Sequence, residues 1–198
     1  MAFVWSGLYD ISATDQHLAP TYHLIKKTME RSVERRAADI RVPALGAPEQ
    51  LSRGVALFRE HCVQCHGGPG VAPEPFSLGL TPLATPLARS GKDRSPAYLY
   101  WVLKEGIKMT GMPAWKYRLD EEELWSVVAF LKVLPLLSPQ AYGAMQAQAV
   151  RAGVRRRHWP CWWRRARHST NTSSSIPTIS SHGSRSMRSS IRTIWKLR

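Results

Sequence analysis

The chain has 198 residues, enough for one domain with additions or for two very small ones, and a formal net charge of +14. The charge is unevenly placed: residues 1–150 carry 16 Lys and Arg against 14 Asp and Glu, while 151–198 carry the other 12 bases and no acid. The basicity therefore names no partner for the part with motifs, and no run reaches the roughly 18–20 apolar residues of a membrane-spanning helix.

Residues 1–18 read as an extended lead-in, with Trp5, Gly7 and Tyr9 ahead of Asp10 and Ser12. The apolar start is too short for a signal peptide and lacks a basic region before it. A helix is predicted from Pro20 to about Ala38, because proline suits a first helical turn and Tyr22, Ile25, Met29, Val33 and Ala37 recur at three- and four-residue steps. Its other face carries Lys26, Lys27, Glu30, Arg31, Glu34 and Arg35. Such a helix packs on a domain or lies near a membrane, and ordinary packing is the preferred reading. Pro43, Gly46 and Pro48 mark a linker.

The next predicted helix, 49–61, turns Leu51, Val55, Leu57 and Phe58 inward and runs into Cys62-Val63-Gln64-Cys65-His66. Two thiols three positions apart with an imidazole directly after the second is the spacing that attaches a c-type haem. Each sulfur would add to one vinyl group of the porphyrin, and the histidine would supply the proximal iron ligand. A thioredoxin-like redox pair would need a βαβ setting that the sequence does not display. Zinc would need more ligands than this pair, and the remaining cysteine, Cys161, stands alone. Chance is the third alternative.

Prolines at 69, 73, 75, 82, 86 and 96 exclude regular helix or central strand from 67 to about 94 in this reading. A loop of that length wraps something, and Phe76, Leu78, Leu80, Leu83 and Leu87 are candidates to line a flat apolar cofactor. A helix restarts at Ser95-Pro96 and stops at Gly106. Ile107–Arg118 forms a methionine loop, in which Met112 of Gly111-Met112-Pro113-Ala114-Trp115 is the preferred distal ligand and Met109 the alternative. Asp120 and Glu123 make a capping-box pattern for a last helix that Pro135 ends. His17, His23 and His61 are read as surface side chains.

From about residue 150 the composition changes to Arg, Trp, Ser and Thr without period, as in Arg155-Arg156-Arg157-His158-Trp159. A disordered tail or an out-of-frame product explains it. Arginines among tryptophans also suit nucleic acid or anionic lipid, but no nucleic acid is expected as a partner.

Taken together, Gly54, Phe58, Cys62-Val63-Gln64-Cys65-His66, Gly111-Met112-Pro113-Ala114-Trp115 and the C-terminal amphipathic helix resemble the class I cytochrome c family over residues 49–138. The resemblance implies an all-α fold of three to five helices around one covalently bound haem c. Residues 1–48 would be a connector with the extra amphipathic helix, 49–139 the cytochrome domain and 140–198 a basic low-complexity tail. It implies that Cys62 and Cys65 carry the haem, that His66 and Met112 ligate iron, and that Phe58, Trp101 and Trp115 pack on the ring. The helices at 49–61 and 121–134 would cross near Gly54. The chain looks like a membrane-anchored bacterial monohaem form without its anchor, on the periplasmic side of the inner membrane, where an export signal or anchor is expected. The function implied is single-electron transfer, not catalysis, between a donor dehydrogenase or quinol oxidoreductase and an acceptor oxidase or another cytochrome. A haem enzyme or gas sensor with a displaceable methionine is the alternative.

Overall fold

Two helices meet at a glycine, and the other elements are placed around that crossing. The computed structural model describes residues 5–151, so the expectations for 152–198, Cys161 included, lie outside the described residues. Helix α1 is Ala19–Ala37, α2 is Pro48–His61, α3 is the single turn Val63–His66, and α4 is Leu87–Asp93. Helix α5 is Pro96–Glu105, α6 is Glu121–Val133 and α7 is Pro139–Arg151. Among the described residues the extended backbone pairs only as an isolated bridge between Gly68 and Val71, so the fold is all-α.

A Cβ added at Gly54 of α2 would collide with the Ser126 carbonyl oxygen of α6. The two backbones therefore touch, which only glycine permits there. Four residues on, Phe58 is fully buried and its ring centroid lies 5.1 Å from that of Phe130. Helix α6 is buried continuously from Leu124 to Leu131 and touches α2, α4 and α5. Being apolar almost all round, it is a core helix. Both halves of its capping box form: Glu123 N donates to Asp120 Oδ1 (2.9 Å), and Asp120 N donates to Glu123 Oε2 (3.0 Å). Glu121, Glu122 and Glu123 sit at the positive end of its dipole. The one polar residue in the buried run, Ser126, donates to the Glu122 carbonyl.

Helix α5 begins as expected, with the Ser95 hydroxyl accepting from Tyr98 N. Helix α1 lies on α5, but the predicted stripe is only half engaged. Val33 and Ala37 are buried and the Tyr98 hydroxyl donates to the Met29 sulfur, whereas Ile25 is 46% exposed. The ion pair Arg94–Glu30 (2.5 Å), largely shielded from solvent, joins α1 to the loop before α5.

Two sequence expectations are corrected. The Pro-rich stretch 67–94 contains α4, because Pro86 precedes that helix and the next proline is at 96, leaving a proline-free window. Lys132 Nζ donates to the carbonyls of Gly91 (2.6 Å) and Arg94 (3.0 Å), satisfying the orphan acceptors at the end of α4. The tail boundary at 140 also moves. Residues 139–151 form α7, which packs on α2 with Tyr142 and Ala149 buried. Its start repeats the Ser-Pro signal of α5, with the Ser138 hydroxyl accepting from Ala141 N, and Tyr142, Met145 and Ala149 keep helical spacing up to the basic run.

Candidate functional site

The Cys62–His66 segment is a continuation of α2. Cys62 N donates to the Phe58 carbonyl (2.9 Å), closing α2, and the Cys62 carbonyl then accepts from Cys65 N (3.1 Å) and His66 N (3.0 Å). One helical turn thus puts Cys62, Cys65 and His66 at positions i, i+3 and i+4, on one face. Both cysteines are unbridged thiols. Cys62 is buried, and burial, with Cys65 nearby adding to it, pushes its thiol up to about 12. Burial therefore disfavours the thiolate at Cys62.

His66 Nδ1 lies 2.7 Å from the Thr85 carbonyl oxygen. A carbonyl only accepts, so Nδ1 holds the ring proton and Nε2 keeps its lone pair. Burial holds His66 below the ordinary histidine pKa, with the Thr85 bond opposing. The ring is therefore neutral at pH 7, oriented by a backbone acceptor, with a free nitrogen donor. That is the arrangement in which an outer partner fixes a metal-ligating histidine. The Thr85 chain is itself tethered to α3, because Glu74 N donates to the Gln64 carbonyl and Ser77 Oγ to that of Glu74.

Beside His66 opens a cleft of about 380 Å³ walled by Gly68, Pro69, Leu87, Leu134 and Leu137, within the size range of small-molecule sites. Cys62, Cys65 and Met112 are not among its walls. Of the five apolar residues expected to line a cofactor, Leu80 and Leu87 are half-buried, while Phe76, Leu78 and Leu83 are more than half exposed. Leu80 reaches the methionine loop, where its side chain lies against Gly111.

The two candidate methionines are placed differently. Met112 is half-buried and packs against the core cluster, whereas Met109 is 81% exposed at φ 60°. The loop doubles back at Gly106, whose φ of 69° suits glycine and whose missing side chain leaves room for the backbone of Met112–Ala114. Ile107 N donates to the Met112 carbonyl (3.1 Å) across the neck of the loop. Trp115, buried in the cluster, lies against His61 with ring centroids 4.9 Å apart and planes tilted by 41°. This contact fastens the methionine loop to the end of α2, one residue before Cys62. His61 was read as a surface residue and is half-buried instead, because Trp115 covers it.

The remaining sequence candidates divide. Phe58 lies in the core cluster with Cys62, and Trp101 is half-buried on α5 outside that cluster. His17 bonds the Tyr9 hydroxyl and His23 meets the Tyr22 ring edge-on. Sequence reasoning missed Thr85, which acts through its backbone and leaves no side-chain signal. It also missed Tyr142, whose ring lies against Gly68, edge-on to Phe58 and nearly parallel to Phe130. The signal for Tyr142 was present in the Ser138-Pro139 cap and the spacing after it.

Among the described residues no three His, Cys, Asp or Glu side chains converge, and a closed zinc site takes four such ligands. The donor set fits a haem better. Two thiols and an imidazole with free Nε2 share one helical turn, and a half-buried thioether sits in a loop fastened to the same helix.

A family model described as "Cytochrome C oxidase, cbb3-type, subunit III" matches residues 49–131. Photosystem II extrinsic protein V of Guillardia theta is 28% identical over 110 residues, which cover 48% of this chain and 67% of that protein. No solved structure matches.

Proposed function

Residues 49–131 form a class I c-type cytochrome domain, and from there we propose that the protein carries one covalently attached haem c and passes single electrons between redox partners in the bacterial envelope. The observation that carries this reading is the bond from His66 Nδ1 to the Thr85 carbonyl, which leaves Nε2 for iron on the same turn as two free thiols. When bound, the haem supplies the one-electron couple. Cys62 and Cys65 would tether it, His66 would present Nε2, and Met112 would present its sulfur from the opposite loop. His66 and Met112 would together hold the haem iron, and the chain's part would be to bind and orient the haem and exclude water from it. A thioether favours the ferrous state, which sets the potential toward the oxidising end of the haem range.

The family's description names an oxidase subunit, which supports an oxidase as the electron acceptor. A quinol oxidoreductase or dehydrogenase on the donor side, or another cytochrome, completes the proposal. Covalent haem attachment in bacteria takes place outside the inner membrane, so the protein works there. Among the described residues no helix is long and apolar enough to cross a membrane.

Export of the full chain in a bacterium with a haem-attachment system tests the reading. A denaturing gel should give a haem-stained band at the chain's mass, and an unstained band would sink the proposal. A stained protein whose ferrous form binds CO at once at neutral pH would instead be a sensor or enzyme.

A further inference from the structure

The methionine loop contains a side chain whose hydroxyl is used twice. Thr110 Oγ1 donates to the Ile107 carbonyl (2.8 Å) and accepts from Met112 N (3.1 Å). The first bond reaches the residue with which the loop leaves α5, and the second reaches the amide of the proposed iron ligand. Ile107 N in turn donates to the Met112 carbonyl, so Ile107, Thr110 and Met112 close a ring in which the hydroxyl is the bridge between backbone groups. A threonine hydroxyl has one proton to give and lone pairs to receive, and here both functions are engaged. Such a hydroxyl stands in for backbone pairing in a turn. Met109, immediately before it, has left-handed backbone and a side chain 81% exposed. The turn braced by Thr110 therefore sends one methionine inward and the other out.

We propose that Thr110 is a positioning residue for the distal ligand: its hydroxyl holds Met112 inward and Met109 away from the site. The inference rests on the assignment of Met112 as distal ligand. A thioether would be a soft, neutral ligand with little hold on ferric iron, so the loop's own stiffness would decide how firmly Met112 presents its sulfur. Removing the hydroxyl leaves the Ile107 carbonyl and the Met112 amide to water, loosens the turn and would let the Met112 sulfur leave more often.

The test is imidazole titration of the ferric, haem-loaded full chain, read beside the weak near-infrared sulfur-to-iron band. Thr110→Val keeps the side chain's shape without its hydroxyl and should bind imidazole about tenfold more tightly, with the two lost hydrogen bonds counted at the lower end of their net worth. Thr110→Ser should stay within about twofold of the wild type by the same arithmetic. Lys108→Ala, an exposed change in the same loop, should do nothing. If Thr110→Val fails to accumulate, Thr110→Ala is titrated in its place with the same expectation. Wild-type affinity in the hydroxyl-free variant, or failure of serine to restore it, overturns the role of Thr110 and leaves the ligand assignment intact. A wild type without the sulfur band overturns the assignment of Met112, and this inference with it.

Discussion

His66 ends a helical turn whose amides are bonded within the helix and whose ring is tied to Thr85, while Met112 rides on a loop closed by one backbone bond and one threonine hydroxyl. The two halves of the site also rest on different foundations. The proximal half extends α2, and α2 is locked to α6 at Gly54 and covered by Tyr142. The distal half meets that foundation through Trp115, which lies on His61, and through Met112 packed against the core cluster. On this difference the proximal side should share the stability of the whole domain, and the distal side should open while the domain stays folded. Local opening of this kind costs less than global unfolding.

The largest break in the comparison should come at the crossing. Gly54→Leu forces α2 off α6 and should leave no cooperatively folded, haem-loaded protein, as read by circular dichroism and the haem spectrum. Next comes the cover. Tyr142→Ala should cost about 3–5 kcal/mol, in the range for deleting a buried aromatic, by denaturant unfolding of the loaded chain. A chain ending at Ser138 should be destabilised at least as much, whereas one ending at Arg151 should keep the melting temperature of the full chain.

The distal side should respond without unfolding. Met112→Ala should keep the covalent haem and lose the near-infrared band, lower the potential and admit CO. Met109→Ala should change none of these, and the reverse pattern would exchange the two methionines. The smallest expected effect is at the join between the halves. Burial, with Arg118 adding to it, holds His61 below the ordinary histidine value of 6.5 against the pull of Glu60 and Glu123. The unfolded chain therefore takes up this proton first, so stability is intact above about pH 6.5 and declines as pH falls below it. His61→Gln should flatten that decline between pH 7 and 5 in the loaded protein, and an unchanged slope would assign it to other groups.

Where capping residues punctuate the chain, the helices were legible. Ser95-Pro96 and Asp120 with Glu123 set α5 and α6 within a residue or two of their observed bounds. The crossing at Gly54 was implied by the family resemblance carried by Gly54 and Phe58, and the two helices meet there. Proline counting concealed α4, because the number of prolines in a stretch says less than the gaps between them. Tail composition concealed α7, because a neutral Gln- and Ala-rich helix resembles a linker until its buried tyrosine is placed. Within the site, residue types and spacing pointed to Cys62, Cys65, His66 and the Met109–Met112 choice, and burial now separates the two methionines. The bonds that orient those groups could not be read, since one acceptor is the Thr85 backbone and the bridge at Thr110 depends on a turn conformation.

The burial of Cys62 has a consequence in time. Chains are made from the N-terminus, so Cys62, Cys65 and His66 appear well before Phe130 and Tyr142, which later share the core cluster with Cys62. During that interval the thiol is open to water and ionises as a free cysteine does, near 8.5. Once α6 and α7 arrive it is enclosed. Chemistry at this sulfur therefore has a window that folding closes. Anything that lets α7 dock sooner shortens the window, and a pause in synthesis after residue 66 lengthens it.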